Sequence, residues 1–377
     1  MAKKKVLMVF GTRPEAIKMI PIYIELLKFN IDVEVKICVT AQHRNMLDQV
    51  LEFFEVIPDY DLDIMKPNQD LYHLTSNILI GMKSVLEDFL PYLVLVHGDT
   101  TTSMAVSLAS FYHGSKVGHV EAGLRTFNKR SPFPEEINRN LTAKLADYHF
   151  APTSLSQNNL IREGFNQDSI IITGNTVIDA LLMSKEKVIN YPENYLSIVE
   201  LSKSIDVTKK IILVTGHRRE NFGDGFLNIC RALRIIAEQN LDCLIVYPVH
   251  LNPNVQKPVN ELLSGIHNIK LINPQPYESF IWLMNISNLI ITDSGGVQEE
   301  APSLGKPVLV MRDNTERPEA VEAGTVILVG TNTETIVNEA NNLLHDDSKY
   351  LQMSLKHNPY GDGLASIRIA EFIVNYI

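Results

Sequence analysis

Four side chains in this sequence could move protons: Asp99, Glu121, Glu135 and His217. Asp99 closes the apolar run Leu93-Val94-Leu95-Val96-His97-Gly98, and Glu121 closes Val117-Gly118-His119-Val120. Glu135 opens a helix-compatible segment after the proline-stiffened Pro132-Phe133-Pro134, and His217 follows the run Ile211 to Gly216. Carboxylates and an imidazole are the common general acids and bases. Each also has an ordinary alternative. Asp99 before three threonines could cap a helix, Glu135 suits a helical first turn, and His217 before two arginines could be solvated. Collected at predicted strand ends and loops, the four form a candidate acid–base set.

A second stretch, Asn288 to Ala320, has the composition of an anion holder. Its short β-branched run, Leu289 to Thr292, reads as a buried strand. Asp293-Ser294-Gly295-Gly296 follows, and then a helix-compatible segment from Val297 to Ala301. A strand that stops at Ser-Gly-Gly and resumes as a helix leaves backbone N–H groups unpaired. Glycine lets that backbone approach a ligand closely, and the helix N-terminus adds partial positive charge. Phosphate is the usual occupant of such a place. An ordinary Gly-Gly turn is the alternative; the neighbouring Ser294, Glu300 and Arg317 favour a nucleotide-sugar diphosphate.

These residues need elements to position them. Val6 to Phe10 reads as a strand, Gly11 to Glu15 as a turn, and Ala16 to Lys28 as a helix with Ile17, Ile20, Ile24 and Leu27 in register. Arg13 and Lys18 near its start oppose the helix dipole, which favours an anion between them; two solvated charges are the alternative. Strand and helix signals then alternate. Val33 to Thr40 is a second strand, residues 71 to 89 a long amphipathic helix, and Leu93 to Asp99 a third strand. The segments at Val117, His149 and Ile170 add further strand–turn units. From Met183 to Lys209 the pattern weakens into polar residues, and the connection between two halves is expected just before it. Lys209 to Asn221 repeats the opening strand and its glycine turn, followed by further strands at Cys243 to Val249 and Ile269 to Ile272. Such alternation predicts parallel sheets, and two Rossmann-like halves predict two domains facing a cleft.

With 377 residues the chain accommodates two domains. Its 45% hydrophobic and 21% charged content are those of a soluble globular protein. The net charge of −10 argues against a nucleic-acid surface. No apolar stretch is long enough to span a bilayer and no signal-peptide core follows the basic start, so a cytoplasmic location is expected. The three cysteines, Cys38, Cys230 and Cys243, are too scattered for a disulfide framework or a zinc site.

The chain resembles the non-hydrolysing UDP-N-acetylglucosamine 2-epimerases of bacteria. The resemblance is carried in order by Phe10 to Lys18, His97-Gly98-Asp99-Thr100, Gly118 to Arg125, Thr173-Gly174-Asn175-Thr176, Gly216-His217-Arg218-Arg219-Glu220, the block from Asp293 to Glu319, and Asn358 to Gly363. It implies an α/β fold of two Rossmann-like domains facing a central cleft, of the glycosyltransferase-B type. The domains would span residues 1–178 and 179–363, with the C-terminal helix 364–377 crossing back to the first. It implies interconversion of UDP-N-acetylglucosamine and UDP-N-acetylmannosamine by a homodimer, without metal or other cofactor. Because the C2 proton of the sugar is not beside a carbonyl, members of the family are understood to expel UDP from C1. A base removes the C2 proton, and the enzyme-bound glycal is reprotonated on its other face before UDP adds back.

Carried onto this sequence, the resemblance makes Asp99, Glu121, Glu135 and His217 catalytic. It puts Arg13 and Lys18 near the diphosphate, Ser294, Gly295 and Gly296 around it, Gln275 and Phe280 at the uracil, and Glu300 on the ribose. Arg317 would reach the sugar or the phosphates. Gln42 fits the pattern of a second, activating nucleotide-sugar site, whereas Asn45 and Asn68 depart from it. A glycosyltransferase on the same scaffold, a hydrolysing epimerase and a non-catalytic nucleotide-sugar sensor are the competing readings.

Overall fold

The computed structural model of the protein describes residues 3–40, 44–65, 69–315 and 317–377. It divides into two compact units, Met1–Ala180 with Gly361–Ile377, and Leu181–Tyr360. In the first, the elements run β1 (Lys4–Phe10), α1 (Arg13–Leu27), β2 (Val33–Val39), α2 (Arg44–Phe54), β3 (Tyr60–Asp61), α3 (Leu71–Phe89) and β4 (Leu93–His97). They continue through α4 (Thr101–His113), β5 (Lys116–Val120), α5 (Glu135–Leu145), β6 (Tyr148–Ala151), α6 (Ser154–Arg162) and β7 (Ile170–Ile172). Helix α7 (Thr176–Asn190) carries the chain from the first unit into the second.

The second unit comprises α8 (Leu196–Ser202), β8 (Lys210–Thr215), α9 (Asp224–Gln239), β9 (Cys243–Pro248), α10 (Pro253–Leu263), β10 (Ile269–Ile272) and α11 (Tyr277–Ile286). It is completed by β11 (Leu289–Thr292), α12 (Gly295–Glu300), β12 (Val308–Val310), α13 (Pro318–Ala323), β13 (Val326–Leu328), α14 (Thr333–His345) and α15 (Asp347–Ser354). The chain ends in α16 (Ala365–Tyr376), within the first unit.

Each unit holds one parallel sheet, ordered β3-β2-β1-β4-β5-β6-β7 in the first and β10-β9-β8-β11-β12-β13 in the second. Strands flanked by crossover helices are buried on both faces and therefore read as continuous apolar runs. Val6 to Phe10, Leu93 to Val96 and Leu289 to Ile291 are such runs, and all are buried. The strand order reverses between β1 and β4, and again between β8 and β11. Ligands of open α/β sheets bind beyond the carboxyl ends of strands at these reversals. Gly11–Arg13 and Gly98–Asp99 occupy the first reversal, Gly216–Arg218 and Asp293–Gly296 the second.

Local chemistry ties the first reversal together. Glu15 of α1 accepts N–H bonds from Gly11 at 3.0 Å and Thr12 at 2.8 Å, and its other oxygen accepts from Thr100 Oγ1 at 2.6 Å. One buried carboxylate thus joins the turn after β1 to the turn after β4. A Cβ on Gly11 would lie 2.0 Å from Thr40 Oγ1 and 2.8 Å from Thr102 Oγ1, so a larger residue there would displace both hydroxyls.

The strand expected third is the fourth. Tyr60–Asp61 pairs with Cys38 and Val39 at the sheet edge, and two residues carry no periodic signal. The polar stretch after Met183 remains helical as far as Asn190, and the two units divide between Ala180 and Leu181, inside α7. Among the described residues no helix is long and apolar enough to cross a membrane. Cys38, Cys230 and Cys243 are all buried.

Candidate active site

In the first unit, β1, β4 and β5 are neighbours, and the residues after their carboxyl ends include Arg13, Asp99 and Glu121. Glu121 has a left-handed backbone, φ +60°, which costs a residue with a Cβ roughly 1–3 kcal/mol. Its Oε2 meets the Lys18 ammonium, Asn175 Nδ2 at 2.9 Å and His97 Nε2 at 3.6 Å. Burial works against a charged carboxyl, but Lys18 and His97 outweigh it and hold Glu121 well below the ordinary 4.5. Lys18 therefore lies a turn beyond the helix start and is neither a solvated charge nor a simple opponent of the dipole. Arg13 is the first residue of α1 and half-buried.

Asp99 takes a charge-assisted bond from Arg139 of α5, and Asn138 Nδ2 donates to the Asp99 carbonyl at 3.0 Å. Arg139 also reaches Glu136 Oε2 at 3.3 Å, while Glu136 accepts the amides of Thr126 and Phe127, each at 3.0 Å. Glu135 starts the same helix. Its Oε2 is buried and has no hydrogen-bond partner among the described residues. An unsatisfied buried acceptor costs about 1–3 kcal/mol, and a catalytic carboxylate is a place where that cost has a use. Behind Asp99, the buried His119 donates Nε2–H to the Gly98 carbonyl at 2.7 Å. Burial pushes its pKa down to about 3, so the ring stays neutral and holds the turn.

In the second unit, Asp293 follows β11 and is fully buried. Its Oδ2 accepts the amides of His217 and Arg218, each at 2.8 Å, binding the turn after β8 to the turn after β11. Ser294 N–H bonds Thr292 Oγ1 at 2.9 Å, and Gly295 begins α12. A Cβ on Gly295 would meet guanidinium atoms of Arg218 and of Arg317, each at 3.8 Å. Two guanidinium groups therefore flank the Ser-Gly-Gly turn. Glu299 anchors Arg317 through Nε. Arg218 Nε is buried with no hydrogen-bond partner among the described residues. Two forked guanidinium groups beside a glycine turn are suited to an anion, so the turn is a candidate anion cradle.

His217 stacks on His250 with ring centres 5.1 Å apart and planes 13° apart. Burial lowers its pKa from the ordinary 6.5; Asp293 opposes that shift, and His250 and Arg218 add to it. Gln275 lies before α11 and donates Nε2–H to the Asn273 carbonyl at 2.7 Å. It also lines a cavity of ≈ 560 Å³ together with Leu201, Asn260 and Leu271. Phe280 is a half-buried residue of α11, and Glu300 closes α12. Gln42 and Asn68 lie outside the described residues.

The structure thus joins Lys18 to Glu121, Asp99 to α5 beside Glu135, and His217 to the anion turn. Asp99, Glu121 and Glu135 belong to the first unit and His217 to the second. Sequence reasoning assigned no role to Arg218, Asp293, His97, Asn175 or Arg139. Arg218 and Asp293 were legible as neighbours of His217 and Ser294. Arg139 stands within a helix, and only the fold brings it to Asp99. Among the described residues, no group of three or more His, Cys, Asp or Glu side chains is arranged to hold a metal.

Two Rossmann-like units, with a candidate anion cradle at the strand-order reversal of the second, define an α/β protein of the glycosyltransferase-B type. A family model described as UDP-N-acetylglucosamine 2-epimerase matches residues 26–374. The chain is 59% identical over 372 residues to the UDP-N-acetylglucosamine 2-epimerase of Yersinia pestis, covering 99% of each. It is 59% identical over 371 residues to the enzyme of that name from Escherichia coli strain K12, covering 98% of each. It superposes with a TM-score of 0.88 on the crystal structure of Neisseria meningitidis UDP-GlcNAc 2-epimerase bound to UDP-GlcNAc, at 54% identity and covering 98% of this chain and 99% of that one. The chain belongs to the UDP-N-acetylglucosamine 2-epimerase family, whose members are isomerases.

Proposed function

We propose that this protein interconverts UDP-N-acetylglucosamine and UDP-N-acetylmannosamine without releasing free sugar, by eliminating and re-adding UDP through a bound 2-acetamidoglucal. The observation that carries the reading is the Ser294-Gly295-Gly296 turn flanked by Arg218 and Arg317, with the buried Arg218 Nε left for an anion. A departing diphosphate develops negative charge as C1 loses it, and preorganised guanidinium and amide donors stabilise that charge most. Arg13 and Lys18 are the first unit's candidate cations for a phosphate, and the Lys18 ammonium is paired with Glu121. In this reading Gln275 and Phe280 hold the uracil and Glu300 the ribose.

The sugar chemistry needs a base and an acid on opposite faces, and Asp99, Glu121, Glu135 and His217 supply the candidates. Glu121, held charged by Lys18, suits stabilisation of positive charge developing at C1. Glu135, with one open buried oxygen, suits proton transfer. The product supplies N-acetylmannosamine units for surface polysaccharide, and the chain works as a homodimer. Exposed apolar side chains on the paired helices α3 and α4 (Tyr72, Ile80, Phe111 and Tyr112) support the last point.

Incubation with UDP-N-acetylglucosamine in D2O, followed by proton NMR, tests the reaction. Deuterium at C2 in a mixture of gluco and manno nucleotides is the expected result. Free N-acetylmannosamine would mean hydrolysis instead. Saturable binding with an unchanged spectrum would leave a transferase lacking its acceptor, or a sensor, and would overturn the proposal.

A further inference from the structure

Asp293 is a fully buried carboxylate at the β8–β11 reversal, and its two oxygens are used unequally. Oδ2 accepts from His217 N, Arg218 N and, at 3.4 Å, Asn221 Nδ2. Oδ1 is buried without a hydrogen-bond partner among the described residues, 3.7 Å from His217 Nδ1. Buried acceptors in native proteins are nearly always satisfied, so an open one beside a titratable ring calls for a partner. The ring of His217 is set in place on its other side by the stack on His250. His250 is itself oriented, because its Nδ1 accepts the Asn252 amide at 3.1 Å.

We propose that Asp293 is the positioning residue of His217: its Oδ1 takes the Nδ1–H bond, so that neutral His217 presents the Nε2 lone pair for proton transfer. The gap of 3.7 Å closes to a hydrogen bond with a small side-chain rotation, and catalytic hydrogen bonds commonly tighten once substrate is bound. A carboxylate that orients an imidazole through Nδ1 fixes both tautomer and ring plane. The other oxygen of the same carboxylate fixes the Arg218 amide, so one side chain sets the base and the start of the anion-binding arginine together. The inference rests on the reading of His217 as an acid–base group; its first test does not depend on turnover.

Nitrogen-15 NMR of imidazole-labelled protein, with His217→Gln to assign the signals, reads the tautomer directly. The expected spectrum at mildly alkaline pH has the proton on Nδ1 and a pyridine-type Nε2; a proton on Nε2 overturns the proposal. Asp293→Asn is the second test. Its amide oxygen can still accept the two backbone N–H bonds, which forces the NH2 toward His217 Nδ1 and reverses the tautomer. A fall in kcat of roughly 10²-fold or more is expected, with KM and UDP affinity changed by less than about threefold. A kcat within about threefold of the parent overturns the proposal. Should that variant not fold, the parent tautomer decides alone. Should the parent fail to epimerise, the functional reading fails while the tautomer still answers for Asp293.

Discussion

Glu121 keeps its charge because Lys18 and His97 stand beside it, and that arrangement has a pH signature. Its folded pKa lies below the unfolded 4.5, so the unfolded state binds more protons in the interval between the two values. The stabilisation is therefore complete above 4.5 and is lost as pH falls through the folded value. Glu121→Gln removes the carboxylate but leaves Lys18 with a side chain only 13% exposed. The variant should lose about 3 kcal/mol at neutral pH, and the gap to the parent should narrow in acid. Denaturant titrations at neutral pH and near pH 3 would measure both, and a gap independent of pH would exclude the pairing. Epimerisation by the same variant should fall at least ~10²-fold. The neighbouring backbone constrains repair of this region, since Gly123 has φ +92° and a Cβ there would lie 2.2 Å from the Ser156 carbonyl oxygen.

Among the elements, α16 shows how a terminal helix is tied down. Asp179 of α7 accepts from the amides of Ala365 at 3.3 Å and Ser366 at 2.7 Å, and also from the Ser366 hydroxyl. It does for α16 what an N-cap does from within a helix's own sequence, satisfying donors that the first turn cannot pair. Lys4 Nζ, at the start of β1, donates to the Val374 carbonyl at 2.6 Å near the other end. Asp179→Ala should cost about 2 kcal/mol by leaving these donors unpaired. Amide hydrogen exchange should quicken over residues 365–377 while the second unit keeps its protection. Uniform loss of protection across both units would show that α16 is no separate docking step.

For the whole molecule, the net charge of −10 means that the anionic substrate of the proposed reaction would have to be held by local geometry and not by a general field. In the proposed reading Arg218 and Arg317, on either side of Gly295, would provide that locality in the second unit. Each unit has its own apolar centre, around Phe226 and Tyr247 in one and around Ile78, Met82 and Val96 in the other. Exposed aromatic and aliphatic side chains on α3 and α4 are unfavourable in a monomer, and the homodimer would cover them. Sedimentation velocity should give a dimer, with Ile80→Lys or Tyr112→Lys shifting it toward monomer and leaving the fold intact. A parent that sediments as a monomer would remove that part of the proposal.

How much of this could be read beforehand follows from the range of the forces involved. Apolar runs, helical spacing and turn glycines are local patterns, so strand–turn–helix alternation was legible, along with the positions of Asp99, Glu121 and Ser294 to Gly296 beside strand ends. The two-residue β3 was not, because it exists through pairing with β2 and not through any periodicity of its own. The partnerships were equally hidden. Arg139 meets Asp99 across 40 positions of sequence, Lys18 meets Glu121 across 103, and the His217 amide meets Asp293 across 76. No spacing rule reaches that far. The sequence by itself determined which side chains could carry charge and which backbone could bend. Tertiary structure alone decided which charges neutralise one another and which buried donor or acceptor stays open, because burial and Coulomb energy depend on distance in space.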